Sequence, residues 1–170
     1  MTCVSCKGRW QRVFVGLGSN LQDPLAQVKQ AVVSLKTLPQ SKGLVCSPWY
    51  QSKPLGNLDQ PDYINGVVGF NTELSPEALL DKLQQIEQAQ GRQRSSQPWA
   101  SRTLDLDLLL YGELIIDTCR LQVPHPGLTG RAFVLYPLAD LAADLVLPTG
   151  QSLAQLLIQV DKNGLVKLTD

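Results

Sequence analysis

The chain has 170 residues and a mass of 18.6 kDa, and its 15 Lys+Arg balance 15 Asp+Glu, so the formal net charge is zero. Balanced charge argues against a general binder of nucleic acid or of a membrane surface, which needs a basic field to release counterions, and aromatics at 6% leave few platforms for stacked bases. No apolar run approaches the roughly 18 residues of a membrane span or forms a signal segment.

Residues 1–12 show no periodicity and are expected to form a flexible leader ahead of a single domain over 13–170, long enough to bury one core. Cys3 and Cys6 make a C-x-x-C, but Cys46 and Cys119 do not supply the second pair of a zinc site. They read as structural or incidental thiols in a reducing, cytoplasmic compartment. Residues 13–18 (VFVGLG) predict a short buried strand ending in a glycine turn. Asp23-Pro24 predicts a helix start, with Leu25, Val28, Val32, Leu35 and Leu38 as its apolar stripe and Pro39 as its stop. Residues 43–51 predict a second strand, which Pro48 confines to an edge or a bulge. A turn-rich loop over 52–62 leads to a third strand over 63–73. Ser75-Pro76-Glu77 opens a second helix carrying Leu79, Leu80, Leu83 and Ile86, and Gly91 ends it. A basic loop over 91–103 precedes a fourth strand over 104–111. Beyond Ile115 a short strand, a helix near 130–142 and an amphipathic piece near 151–160 are expected. Strand, helix, strand, strand, helix, strand predicts an α+β fold with a ferredoxin-like βαββαβ core and a C-terminal extension of short helices and strand.

The clearest chemical signal is Leu104-Asp105-Leu106-Asp107-Leu108. Side chains alternate along a strand, so both acids share one face while the leucines turn to the core. Asp is a poor strand former and the two charges repel; Mg²⁺, a hard cation that keeps positions for water and phosphate, would relieve both. Acids that merely face solvent are the alternative. Arg92, Arg94 and Arg102 lie in one acid-free stretch, and Arg120, the single histidine His125 and Arg131 lie in another. Guanidinium forks suit phosphate oxygens, although a flexible loop can also be simply basic and solvated. Gly16-Leu17-Gly18-Ser19-Asn20 fits neither a dinucleotide fingerprint nor a P-loop, because Leu21 stands where a third Gly is needed and no Gly-Lys-Ser/Thr follows; a tight turn is expected instead. Tyr63, Asn65 and Phe133 could frame a slot for a flat heterocycle, with the amide reading its edge, or the rings could pack in the core.

These residues resemble one family, 6-hydroxymethyl-7,8-dihydropterin pyrophosphokinase. The resemblance runs from about Phe14 to Leu147. It rests on GLGSN at 16–20, PLG at 54–56, DQPDYIN at 59–65, IEQAQGR at 86–92, WASRTLDLDL at 99–108 and VPHP at 123–126. It implies transfer of a diphosphate from ATP to the pterin hydroxymethyl group with release of AMP. By resemblance, Asp105 and Asp107 hold two Mg²⁺ ions. Arg92, Arg102, His125 and Arg131 contact phosphates, with Arg92 and Arg102 joining the aspartates as catalytic residues. Arg94, Trp99 and Arg120 help close or secure the nucleotide site. Tyr63 and Phe133 sandwich the pterin, while Asn65 and the backbone near Leu55 read its pyrimidinone edge. The sequence departs from the family pattern at Pro98, at Ala100-Ser101 and at Ser52-Lys53, all in the two loops expected to act as lids. A nucleotidyltransferase would place its Gly-Ser turn close to its D-x-D strand, whereas more than eighty residues separate Ser19 from Asp105. A regulatory or RNA-binding module explains neither the paired acids nor the arginines. The expectation is a monofunctional, monomeric, cytoplasmic enzyme of small molecules, without a nucleic-acid or membrane partner.

Overall fold

Apolar residues alternating with glycine extend Gln11–Ser19 into a strand, β1, with a hydrogen-bonded neighbour on each side. The computed structural model describes residues 9–56, 59–92 and 101–169. After β1 come α1 (Pro24–Lys36), β2 (Ser41–Cys46), β3 (Tyr50–Ser52), β4 (Tyr63–Thr72), α2 (Pro76–Ala89) and β5 (Asp105–Tyr111). A two-strand ribbon follows, β6 (Ile116–Asp117) with β7 (Gln122–Val123), then α3 (Ala132–Leu141), α4 (Leu153–Gln159) and β8 (Val166–Lys167). The main sheet runs β5-β1-β4-β3-β8 with β2 also on β4, every pairing antiparallel.

Both large helices begin as their sequences dictate. Asp23 caps α1 by accepting from the Ala26 N–H, Ser75 caps α2 by accepting from the Ala78 N–H, and a proline follows each cap. Four expectations are corrected. β1 begins at Gln11, inside the expected leader, because Gln11 and Arg12 pair with Thr72 and Asn71 of β4. The glycine turn is absent: ladders to β4 and β5 hold Gly16 and Gly18 extended up to Ser19, and tertiary pairing overrides glycine's local preference. The single strand over 43–51 is two strands, β2 starting at Ser41, with Pro48 in the break. There Ser47 stands in for the ladder: its N–H donates to the Val67 carbonyl and its Oγ accepts from the Val67 N–H, both at 2.9 Å. β8 was not expected.

The sheet separates two apolar clusters. On one face, Val13, Val15, Leu17, Phe70, Leu106 and Leu108 pack against Val28 and Leu35 of α1 and Leu79 and Leu83 of α2. On the other, Phe14, Val67 and Leu109 meet Leu135 and Leu138 of α3 and Leu153 of α4. A register shift opposite Phe14/Val15 leaves Leu109 and Leu110 both in the second cluster, a β-bulge in β5. Beyond these contacts the second face is left open, and a cavity forms there.

Candidate active site

Strand alternation assembles this cavity. Gly18 of β1 lies between Asn65 of β4 and Asp105 of β5, and Gly16 lies between Val67 and Asp107. With strands about 4.8 Å apart, the row Asn65–Gly18–Asp105 spans roughly 10 Å. The glycines make a floor of bare backbone, while Tyr63, Asn65, Asp105 and Asp107 rise around it. The space measures about 370 Å³. Its remaining walls come from Ser52 at the end of β3, from Leu55 and Gln60 of the β3–β4 connection, from Arg102 and His125, and from Arg131 and Phe133 where α3 begins.

One end of the cavity is charged. Asp105 holds one arginine on each oxygen: Arg102 Nη1 donates to Oδ2 at 2.9 Å, and Arg92 Nη1 lies 3.2 Å from Oδ1. Asp107 is pushed up to about 7, by burial first and then by the charges of Asp105 and Glu87. His125 points Nε2 at Asp107 Oδ1, 3.8 Å away, and its Nδ1 accepts from the Gly127 N–H at 3.0 Å. An accepting Nδ1 leaves the proton on Nε2, so the neutral ring presents a donor to the cavity. Burial, then Arg131, pushes the His125 pKa down, in keeping with that neutral form. A Cβ at Gly127 would fall 2.5 Å from the Arg131 guanidinium carbon, so a larger residue there would displace the end of that side chain.

Across the glycine floor from the acids stands an amide. Asn65 is buried, and its Nδ2 donates to Ser52 Oγ at 2.7 Å, which fixes the amide plane. Tyr63 and Phe133 supply rings, and Arg131 lies over the Phe133 ring at 5.9 Å. Asp105 and Asp107 fit a divalent cation. Among the described residues no cluster of three or more His, Cys, Asp or Glu could hold a metal, and Mg²⁺ characteristically takes one or two carboxylates and completes its shell with water and phosphate.

Nine of the expected residues therefore meet in one cavity: Leu55, Tyr63, Asn65, Arg102, Asp105, Asp107, His125, Arg131 and Phe133 line it. Arg92 stands behind Asp105. Arg120 is elsewhere: it pairs with Asp81 on the wall of an adjoining cavity of about 440 Å³, which shares Asp107 and His125 with the first. Arg94, Trp99, Pro98 and Ala100 lie outside the described residues. Sequence reasoning missed the two floor glycines, Ser52, Glu87 and the use of Ser19-Asn20. Asn20, buried, bonds through Oδ1 to the Arg102 N–H at 3.0 Å and through Nδ2 to the Pro61 carbonyl at 3.2 Å. Ser19 Oγ donates to the Thr103 carbonyl at 2.5 Å. The end of β1 thereby clasps the residues leading into both β4 and β5. Glu87 left a signal, since it continues the buried stripe of Leu79 and Leu83 at four-residue spacing.

Paired carboxylates, guanidiniums and a flat slot in one cavity equip an enzyme of the phosphate-transferring class. The family model described as 7,8-dihydro-6-hydroxymethylpterin-pyrophosphokinase (HPPK) matches residues 14–143. Two proteins named 2-amino-4-hydroxy-6-hydroxymethyldihydropteridine pyrophosphokinase are similar over nearly their whole length. That of Pseudomonas aeruginosa is 51% identical over 93% of this chain and 97% of its own, and that of Haemophilus influenzae 46% identical over 91% and 96%. The chain belongs to the HPPK family. Among solved structures, Plasmodium falciparum HPPK-DHPS with pteroate superposes with a TM-score of 0.69 at 12% identity, a likeness of fold. It covers 89% of this chain and 42% of that longer one.

Proposed function

We propose that the residues around this cavity carry out the reaction of the family to which the chain belongs. The enzyme transfers a diphosphate from ATP to the hydroxymethyl group of 6-hydroxymethyl-7,8-dihydropterin, giving AMP and the pterin diphosphate, a step of folate biosynthesis. The observation that carries the residue assignment is the lining of one cavity, where two acids face a buried amide across the glycine floor and guanidiniums and two rings complete the walls.

Tyr63 and Phe133 sandwich the pterin, and Asn65, held by Ser52, reads its amide-like edge beside the backbone near Leu55. That places the hydroxymethyl group toward Asp105 and Asp107. Arg92, Arg102, Arg131 and the Nε2–H of His125 bind phosphate oxygens, and Arg120 secures the nucleotide in the adjoining cavity. Arg94 and Trp99 complete that nucleotide set. Asp105 and Asp107 would hold Mg²⁺, two ions in the full reading, which supplies charge neutralisation to the polyphosphate. The hydroxymethyl oxygen loses its proton to solvent and bonds to the β-phosphorus as the bond from that phosphorus to the AMP oxygen breaks, and AMP leaves with the electron pair. Such transfer needs alignment and charge compensation and no covalent help, which is what these side chains offer.

The sheet order β5-β1-β4-β3, with α1 and α2 on one face, supports a ferredoxin-like βαββαβ core ending at β5. One sheet shared by both clusters supports a single domain that includes β1 from Gln11. The reading extends to a monomer working on small molecules without nucleic acid or membrane, in keeping with the balanced charge of the chain. No helix among the described residues is long and apolar enough to cross a membrane, and the cysteine usage favours the cytoplasm. Incubating purified protein with ATP, Mg²⁺ and the hydroxymethyl-dihydropterin tests the reading: AMP should form in step with pterin diphosphate and only with both substrates and the metal. ADP as the nucleotide product, or free diphosphate in place of the pterin diphosphate, overturns it.

A further inference from the structure

Glu87 is the only charged side chain among the described residues that is fully buried, at 4% exposure. Its position is costly in three ways: it is desolvated, it sits in the last turn of α2 where the helix dipole disfavours an anion, and Asp105 is near. Two contacts hold it. Oε1 accepts the Leu106 N–H at 2.7 Å, and Oε2 pairs closely with Arg92 Nη1. Leu106 lies between the two aspartates on β5, the outermost strand on that side of the sheet, where an outward N–H has no ladder partner. The same Nη1 reaches Asp105 Oδ1 at 3.2 Å. Glu87, Arg92 and Asp105 therefore form a chain from the helix to the site.

A neutral side chain of similar size could accept from the Leu106 N–H, so the fold alone does not require the charge. On the functional reading above, on which this inference rests, Asp105 must give its oxygens to a cation and so release Arg92. We infer that Glu87 is a positioning residue that retains Arg92 at the phosphate end of the cavity when Asp105 is engaged elsewhere, and that it anchors the backbone between the two aspartates. Arg92 acts on phosphate; Glu87 acts through Arg92.

The test is a double-mutant cycle read by turnover and by NMR. Glu87→Gln keeps the volume and an acceptor for Leu106. It should lower kcat about tenfold to a hundredfold with the pterin KM unchanged, and in an Arg92→Ala background it should change kcat less than twofold. In ¹⁵N spectra, the Arg92 Nε–H signal, assigned by its loss in Arg92→Lys, should be sharp in the wild type and stay sharp with Mg²⁺ and a non-hydrolysable ATP analogue. It should broaden in Glu87→Gln. If the Gln variant does not unfold cooperatively, Glu87→Asp, which keeps the charge but shortens the reach, replaces it and should show the same coupling. Losses that add across the cycle, wild-type turnover in Glu87→Gln, or an Arg92 signal indifferent to Glu87 overturn the inference while leaving the reaction intact. Wild-type protein that forms no AMP overturns both.

Discussion

Asp105 and Asp107 are two residues apart on one strand face and differ in electrostatic state. Asp105 carries an arginine on each oxygen; Asp107 feels the charges of Asp105 and Glu87, with a pKa pushed up to about 7 against an ordinary carboxyl value near 4. Between those values the folded protein holds a proton that the unfolded chain has lost. Stability present at low pH is therefore lost as pH rises through about 4 to 7, and stays lost above. Asp107→Asn should remove that penalty: metal- and nucleotide-free, it should be more stable than wild type at pH 8 by about 1 kcal/mol, with solvent in the cavity screening the rest, or ~2–4 °C in Tm. The gain should shrink toward pH 4 in thermal melts, and turnover should be lost throughout. A gain that does not depend on pH would argue that packing, and not charge, is responsible. This residue pair was legible in the sequence because alternation alone puts both acids on one face. The raised pKa of Asp107 was not, since it depends on burial and on Glu87, which comes from a distant part of the chain.

At the scale of elements, the end of β1 does more than close a strand. Asn20 satisfies the Arg102 N–H and the Pro61 carbonyl together, so one side chain fastens the approaches to β4 and β5. Asn20→Ala leaves the amide of Arg102 without its acceptor in a buried place and should cost about 2–3 kcal/mol. Urea denaturation measures it, and Asn20→Asp, which keeps the acceptor, should lose less. The helices and long strands were readable from caps, prolines and apolar spacing because those signals are local. The strand character of Gly16–Ser19 was hidden because it is imposed by partners on both sides, Asn65 and Ile64 on one and Asp107 and Asp105 on the other. The break at Pro48 was half legible: proline marked it, but only the fold shows Ser47 bridging the gap. β8 has two exposed residues and no pattern of its own, and it exists because β3 offers an open edge.

For the whole molecule, the sheet has unlike edges. β5 borders the site, whereas the far edge is closed by β8, where the Leu168 N–H donates to the Trp49 carbonyl at 2.9 Å and Lys167 Nζ reaches Asp140 Oδ1 at 3.0 Å. Covering an open strand edge protects against pairing with other chains. Ending the chain after Asp161 should lower stability by about 1 kcal/mol, ~2–4 °C in Tm, and leave kcat unchanged because three strands separate β8 from β5. The truncated protein should also self-associate more at high concentration, which light scattering would detect.

The glycine floor bears on how inhibition could be escaped. A compound laid on Gly16 and Gly18 presses against peptide groups of a strand flanked on both sides, so no side chain there can be trimmed to loosen its grip. The protein can respond at that surface only by adding atoms, and a Cβ on Gly18 would come within 3.3 Å of the Asn65 amide oxygen. Resistance raised there would crowd the substrate as well as the drug, which makes the floor a better place to anchor a molecule than the walls.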